Sequence, residues 1–132
     1  MPAHPGFCIQ VNQGGPMSRV FDLLALRHFA PGETGVRQPF VDLKTLGCSL
    51  TCLEPGQQVK PHVHTNADDV WVVLEGEATY YQGDGQTCRI RQGMLAVARA
   101  GEVHGARNDG PGRFAFVSAF GPIPVDFVDG TP

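Results

Sequence analysis

From residue 41 onward the sequence is a succession of short apolar or β-branched runs, each closed by turn residues. The runs cover 46–53, 59–64, 70–74, 77–81, 87–91, 95–98, 103–108 and 113–120. Between them stand Glu54-Pro55-Gly56, Thr65-Asn66-Ala67-Asp68, Gly76, Gln82-Gly83-Asp84-Gly85, Gly93, Gly101 and Asp109-Gly110-Pro111-Gly112. About eight such runs, with turns at short and regular spacing, predict an all-β antiparallel double-sheet sandwich or barrel. The Gln82-Gly83-Asp84-Gly85 stretch predicts a hairpin turn.

The flanks are less patterned. Residues 1–16 are rich in Pro, Gly and Gln and are expected to form an arm. Residues 18–29, with Leu23, Leu24, Leu26 and Phe29, suit either a short helix or an edge strand, and Pro31, Gly32 and Gly35 then break the chain. The last stretch, 123–132, is expected to run extended over one end of the barrel. The organisation is therefore one domain: an arm and edge segment over 1–35 and a barrel over 36–132.

A chain of 132 residues buries roughly two-thirds of its unfolded surface, enough for one core without staples. Its formal net charge is -3 and it has no basic block, which argues against a nucleic-acid surface. No apolar run is long enough to cross a bilayer, and the first residues lack the basic start and apolar stretch of a signal peptide. A cytoplasmic location is expected. Cys8, Cys48, Cys52 and Cys88 are then thiols, read as small buried hydrophobes. No Ser-His-Asp order, phosphate-binding glycine loop or Cys-x-x-Cys pair is present.

The chemistry concentrates in the histidines. His62 and His64 are two apart in a strand context, so both imidazoles point to one face. His104 lies forty residues beyond His64 in another strand-like run, and closure of a sheet can bring it opposite the pair. Asp69 opens the next run and could add an oxygen. Three imidazoles and a carboxylate suit a divalent transition metal: Mn, Fe, Ni, Cu or Zn.

These residues stand in an arrangement that resembles the cupin family. Gly56, His62, His64, Asp69 and Gly76 fall at the spacing of that family's first motif. Gly93, Gly101, His104 and Asn108 hold four of the five places of its second motif. The resemblance covers 55–108. It implies a jelly-roll barrel holding one metal through His62, His64 and His104. Two positions depart from the pattern: Asp69 stands where the family usually has Glu, and Arg99 where it usually has Pro. The shorter Asp69 side chain is expected to act either as a direct ligand or from behind a histidine or water, the second being preferred. Arg99 is expected in a solvated turn, with the barrel mouth and an anionic substrate as the alternative.

Strand parity with Asp69 places Trp71 and Val73 on the cavity side, and turns Val70, Val72 and Leu74 outward. With Asn108 and Arg99, Trp71 and Val73 are the cavity candidates. The outward apolar face calls for cover, and a homodimer is expected. The functions implied are a small metalloenzyme of isomerase, lyase or dioxygenase type acting on a small polar metabolite such as a sugar or organic acid, or a non-catalytic binding or sensor protein. Fold alone does not choose between them.

Overall fold

The computed structural model describes residues 18–132; the expected arm, with His4 and Cys8, lies outside them. The chain forms a four-residue helix α1 (Leu23–Leu26) and strands β1 (Val36–Asp42), β2 (Gly47–Leu53), β3 (Gln58–Val63), β4 (Asp68–Glu75), β5 (Glu77–Gly83), β6 (Gln86–Arg91), β7 (Leu95–Ala98), β8 (His104–Arg107), β9 (Phe114–Gly121) and β10 (Val128–Asp129). The strands make two antiparallel sheets, ordered β1-β2-β9-β4-β7 and β10-β3-β8-β5-β6. Apart from the β1–β2 and β5–β6 pairs, each connection crosses from one sheet to the other, which is jelly-roll winding. The sheets face each other without closing into one continuous barrel. Among the described residues only the isolated bridge Thr34–Gln58 joins the edge leading into β1 to the second sheet.

Alternation along the strands sorts the residues into layers. Leu53, Trp71, Val73, Ala78, Tyr80, Ile90, Ala106, Phe114 and Phe116 fill the space between the sheets. A second cluster lies on the outside of the first sheet. There Leu50, Cys52 and Ala115 are covered by Leu26, Phe29, Phe40 and Leu74. The ambiguous segment 18–29 is thus a short helix and an extended stretch laid over that face. The Arg113 guanidinium, 4.3 Å from the Phe29 ring centroid, and an Arg27–Glu75 ion pair tie it down. Strand β1 is not legible in the sequence, because Pro39 and the polar Arg37 and Gln38 blur its alternation. As an edge strand it needs hydrogen bonds on one side only, so it tolerates the proline.

The expected hairpin is present: Asp84 and Gly85 both adopt positive φ between the paired Gly83 and Gln86, as a two-residue primed turn requires. At Gly76, between β4 and β5, φ is +76° and a Cβ would overlap the Arg113 carbonyl oxygen. Only glycine fits there. The cysteines depart from the expectation in part: Cys52 is buried, Cys48 half-buried and Cys88 exposed, all as free thiols. Among the described residues, no helix is long and apolar enough to cross a membrane.

Candidate metal centre

His62 lies on β3 and His64 immediately follows that strand, so the two-residue spacing does set both rings on one side. His104 opens β8, and its register partner is His62. This corrects the expected arrangement: His104 is on the neighbouring strand of the same sheet, not across the cavity. The residue that comes from the opposite sheet is Asp69, near the start of β4. The three ring centroids are 4.1 to 4.9 Å apart.

One ligand atom from each of His62, His64, Asp69 and His104 lies within 4.8 Å of every other, forming a group that could hold a metal ion. Nitrogen and oxygen ligands of one ion, each at about 2.0–2.2 Å from it, stand at most about 4.4 Å apart. The group is therefore close to the spacing that ligands of a single ion require. His62, Asp69 and His104 are buried.

Backbone carbonyls fix the rings. His62 Nδ1 is 2.8 Å from the Lys60 oxygen, His64 Nδ1 is 2.6 Å from the Asp126 oxygen, and His104 Nδ1 is 3.1 Å from the Glu102 oxygen. A carbonyl only accepts, so the neutral His62 and His64 rings carry the proton on Nδ1, whereas His104 faces an acceptor at both nitrogens, the Glu102 oxygen at Nδ1 and Asp69 Oδ2 at Nε2. The His62 and His64 rings then turn an Nε2 lone pair away from the backbone. Asp69 Oδ2 lies 3.2 Å from His104 Nε2 and 3.5 Å from His64 Nε2. Its other oxygen accepts from the Ser118 hydroxyl at 2.5 Å. The shorter side chain does reach the histidines. Asp68 faces away, accepting from the Ala100 backbone N–H, as parity requires.

Electrostatics match this arrangement. Burial pushes the His62 imidazole down to about 4, and the neighbouring His104 and His64 rings act in the same direction. Burial by itself raises the Asp69 carboxyl, but its contacts with His104 and Ser118 outweigh that and hold it below the usual carboxylate range. The unprotonated forms, which bind metals, are thus the ones favoured near neutral pH at both groups.

The cluster forms part of the wall of a cavity of about 530 Å³. Trp71 lines it, as expected, but the other cavity candidates do not. Val73 belongs to the apolar layer further in. Asn108 is fully buried and donates to the Leu53 and Gly112 carbonyls, so it secures the chain reversal before β9. Arg99 is exposed in its turn, which is the preferred expectation for it, and pairs with Glu102 at 3.3 Å.

Other residues at the site do not stand out in the sequence. Ser118 is a polar residue at the inward parity of the apolar strand β9, a signal that alternation could have revealed. Phe127 stacks on His62, with centroids 4.7 Å apart. It belongs to a C-terminal strap that crosses the cavity: Asp126 receives the Thr65 N–H and hydroxyl, and β10 pairs with β3 beside His62. The extended covering segment expected over 123–132 is this strap.

Comparison with known proteins bears on the assignment. The cupin domain family matches residues 49–120. The chain belongs to the cupin family. A search of curated proteins found no match. Among solved structures, this cupin resembles an uncharacterized conserved protein with a double-stranded β-helix domain from Klebsiella pneumoniae subsp. pneumoniae. The two are 33% identical, with a TM-score of 0.80, over 87% of this chain and 99% of that one. TT1209 from Thermus thermophilus is 32% identical with a TM-score of 0.73, over 78% of this chain and 96% of that one. DMSP lyase DddQ from Ruegeria pomeroyi shares the fold at 17% identity and a TM-score of 0.62, over 72% of this chain and 51% of that one.

Proposed function

We propose that this cupin binds one divalent transition metal through His62, His64, His104 and Asp69, and acts as a mononuclear metalloenzyme of isomerase, lyase or dioxygenase type on a small polar metabolite. The observation that carries the reading is the direction of the ring nitrogens. All three Nδ1 atoms are engaged by backbone carbonyls, and the three imidazoles and Asp69 still offer one ligand atom each within 4.8 Å of one another. Without a cation, a neutral His104 has one N–H for two acceptors, the Glu102 carbonyl and Asp69 Oδ2. A shared divalent ion satisfies all four groups together.

When bound, the metal would supply Lewis acidity toward a substrate oxygen. The chain's own residues do the rest. Ser118 holds one Asp69 oxygen, leaving the other for the ion. Lys60, Glu102 and Asp126 hold the rings through their carbonyls. Trp71, Phe116 and Phe127 make the adjoining wall apolar. The cavity volume suits a small-molecule ligand rather than a polymer. DddQ, which shares the fold, is a lyase, and lyase chemistry is one of the three types proposed here.

The test is metal analysis of the purified protein followed by an activity screen. About one ion per chain with water still in its coordination sphere supports an enzyme. A ligand recovered unchanged under every metal would instead make the protein a binding or sensor cupin.

A further inference from the structure

The cavity has a second polar feature besides the histidine cluster. Among the described residues, the Ser49 hydroxyl is the one buried side-chain polar atom without a hydrogen-bond partner. Ser49 is 1% exposed and lines the cavity. A buried hydroxyl left unpaired is costly, so its position calls for an acceptor in the cavity.

Register places it within a row of cavity-facing residues. Ser49 is the partner of Ser118 on β9, which in turn is the partner of Trp71 on β4. The next row begins with Arg37 on β1, the partner of Thr51 on β2. The Arg37 guanidinium reaches along the cavity to 5.5 Å from the Phe120 ring centroid. Phe120 is the register partner of Asp69. Arg37 therefore leans from the edge of the sheet toward the histidine end, past the open Ser49 hydroxyl.

Charge points the same way. Four residues lining the cavity carry charged side chains: Arg37, Lys60, Asp69 and Asp126. Both acids are engaged, Asp69 by His104 and Ser118 and Asp126 by Thr65. Neither cation has an ion-pair partner among the described residues. A divalent ion beside one carboxylate would leave the cavity more positive still.

We infer that this cavity takes a small carboxylic acid with a second oxygen two or three bonds away, such as a hydroxy or keto acid. Its carboxylate lies between the Arg37 guanidinium and the Ser49 hydroxyl, and its second oxygen faces the histidine cluster. One guanidinium and one hydroxyl match the two oxygens of a carboxylate. Phosphate, with which a guanidinium also pairs, is the competing anion. The inference deepens the metalloenzyme reading by naming the substrate class, while the carboxylate subsite itself consists of residues outside the proposed ligand set.

Trp71 is the only tryptophan of the chain and lines the cavity, so its fluorescence reports occupancy. Lactate, pyruvate, lactamide and inorganic phosphate are titrated into the full chain, metal-loaded and chelator-treated, with calorimetry as a second readout. Metal affinity is measured separately for each variant. Lactate or pyruvate is expected to bind, with lactamide at least about tenfold weaker, as for loss of a charge-assisted contact. Arg37→Gln is expected to remove that preference and leave metal affinity unchanged. Ser49→Ala is expected to weaken lactate several-fold while melting no lower than the parent, because it deletes an unpaired hydroxyl. Lactamide binding as tightly as lactate, phosphate binding more tightly than either acid, unchanged lactate binding in Arg37→Gln, or no binding of either acid would each overturn the inference. Arg37-dependent lactate binding in a chain that takes up no metal would uphold the subsite and sink the metal reading. The reverse result would do the opposite.

Discussion

His62 and His104 are register partners on β3 and β8, and their ring centroids are 4.1 Å apart. Two imidazoles of one site thus rest on adjacent, hydrogen-bonded strands, and sheet geometry rather than a loop holds their separation. Asp69 then approaches from the facing sheet. The centre joins the two layers, so metal occupancy and the packing of the sheets are expected to be linked.

About one metal per chain is expected, and His62→Ala, His64→Ala or His104→Ala should each abolish stoichiometric binding. Atomic absorption on the purified variants measures this. Full occupancy in any one of them would remove that residue from the ligand set. Val63→His should not rescue His62→Ala, because Val63 occupies the opposite parity of β3.

Asp69→Asn distinguishes a ligand from a supporting residue. The nearly isosteric amide keeps the shape of the side chain and loses its charge. If Oδ2 binds the ion directly, metal affinity should drop by more than the tenfold to hundredfold usual for a residue acting from behind the ligands. A competition titration with a chelating dye gives the ratio, and a loss within the smaller range would assign Asp69 to the outer position.

The metal-free protein should lose stability as the pH falls from about 6.5 to about 4. His62 is held down to about 4 in the folded chain by burial and by the His104 and His64 rings, with the Lys60 carbonyl and Asp69 opposing. In the unfolded chain it titrates near 6.5. Between these values the unfolded state binds the extra proton, so its contribution to stability is complete above the unfolded value and lost on acidification. Melting temperatures across that window should show the fall, and His62→Gln should flatten it. An equal slope in the variant would place the acid sensitivity elsewhere.

A homodimer is expected through the uncovered part of the first sheet's outer face. Val72 pairs in register with Leu95 and Val117, and Val70 with Val97 and Ala119, giving two adjacent apolar rows. Val72, Leu95 and Val97 are exposed, whereas the neighbouring Leu50 and Cys52 are covered by the segment carrying Leu26 and Phe29. The two rows carry no charge, so a second copy related by a two-fold axis can meet them without burying an unpaired ion. Light scattering should give twice the chain mass, and Val72→Asp with Val97→Asp should give a monomer that still binds metal. A parent that stays monomeric at high concentration would refute the expectation.

The sequence by itself determined the strand succession from β2 to β9, the hairpin at Asp84-Gly85, the side of the sheet on which His62, His64, Asp69 and Trp71 lie, and the family. Period-two alternation, turn residues and spacing are local quantities, and they survive in a linear string. Only the tertiary structure decided that His104 shares a sheet with His62 and that Asn108 is a bond-making residue of the interior. It alone brought Ser118 to Asp69, the Asp126 carbonyl to His64, and Arg37 and Ser49 to the cavity. Each of those pairings depends on the register between strands far apart in the chain or on where a strap crosses a sheet. Such contacts form because alternation buries one face of each strand, yet no property of either residue alone records which partner lies opposite.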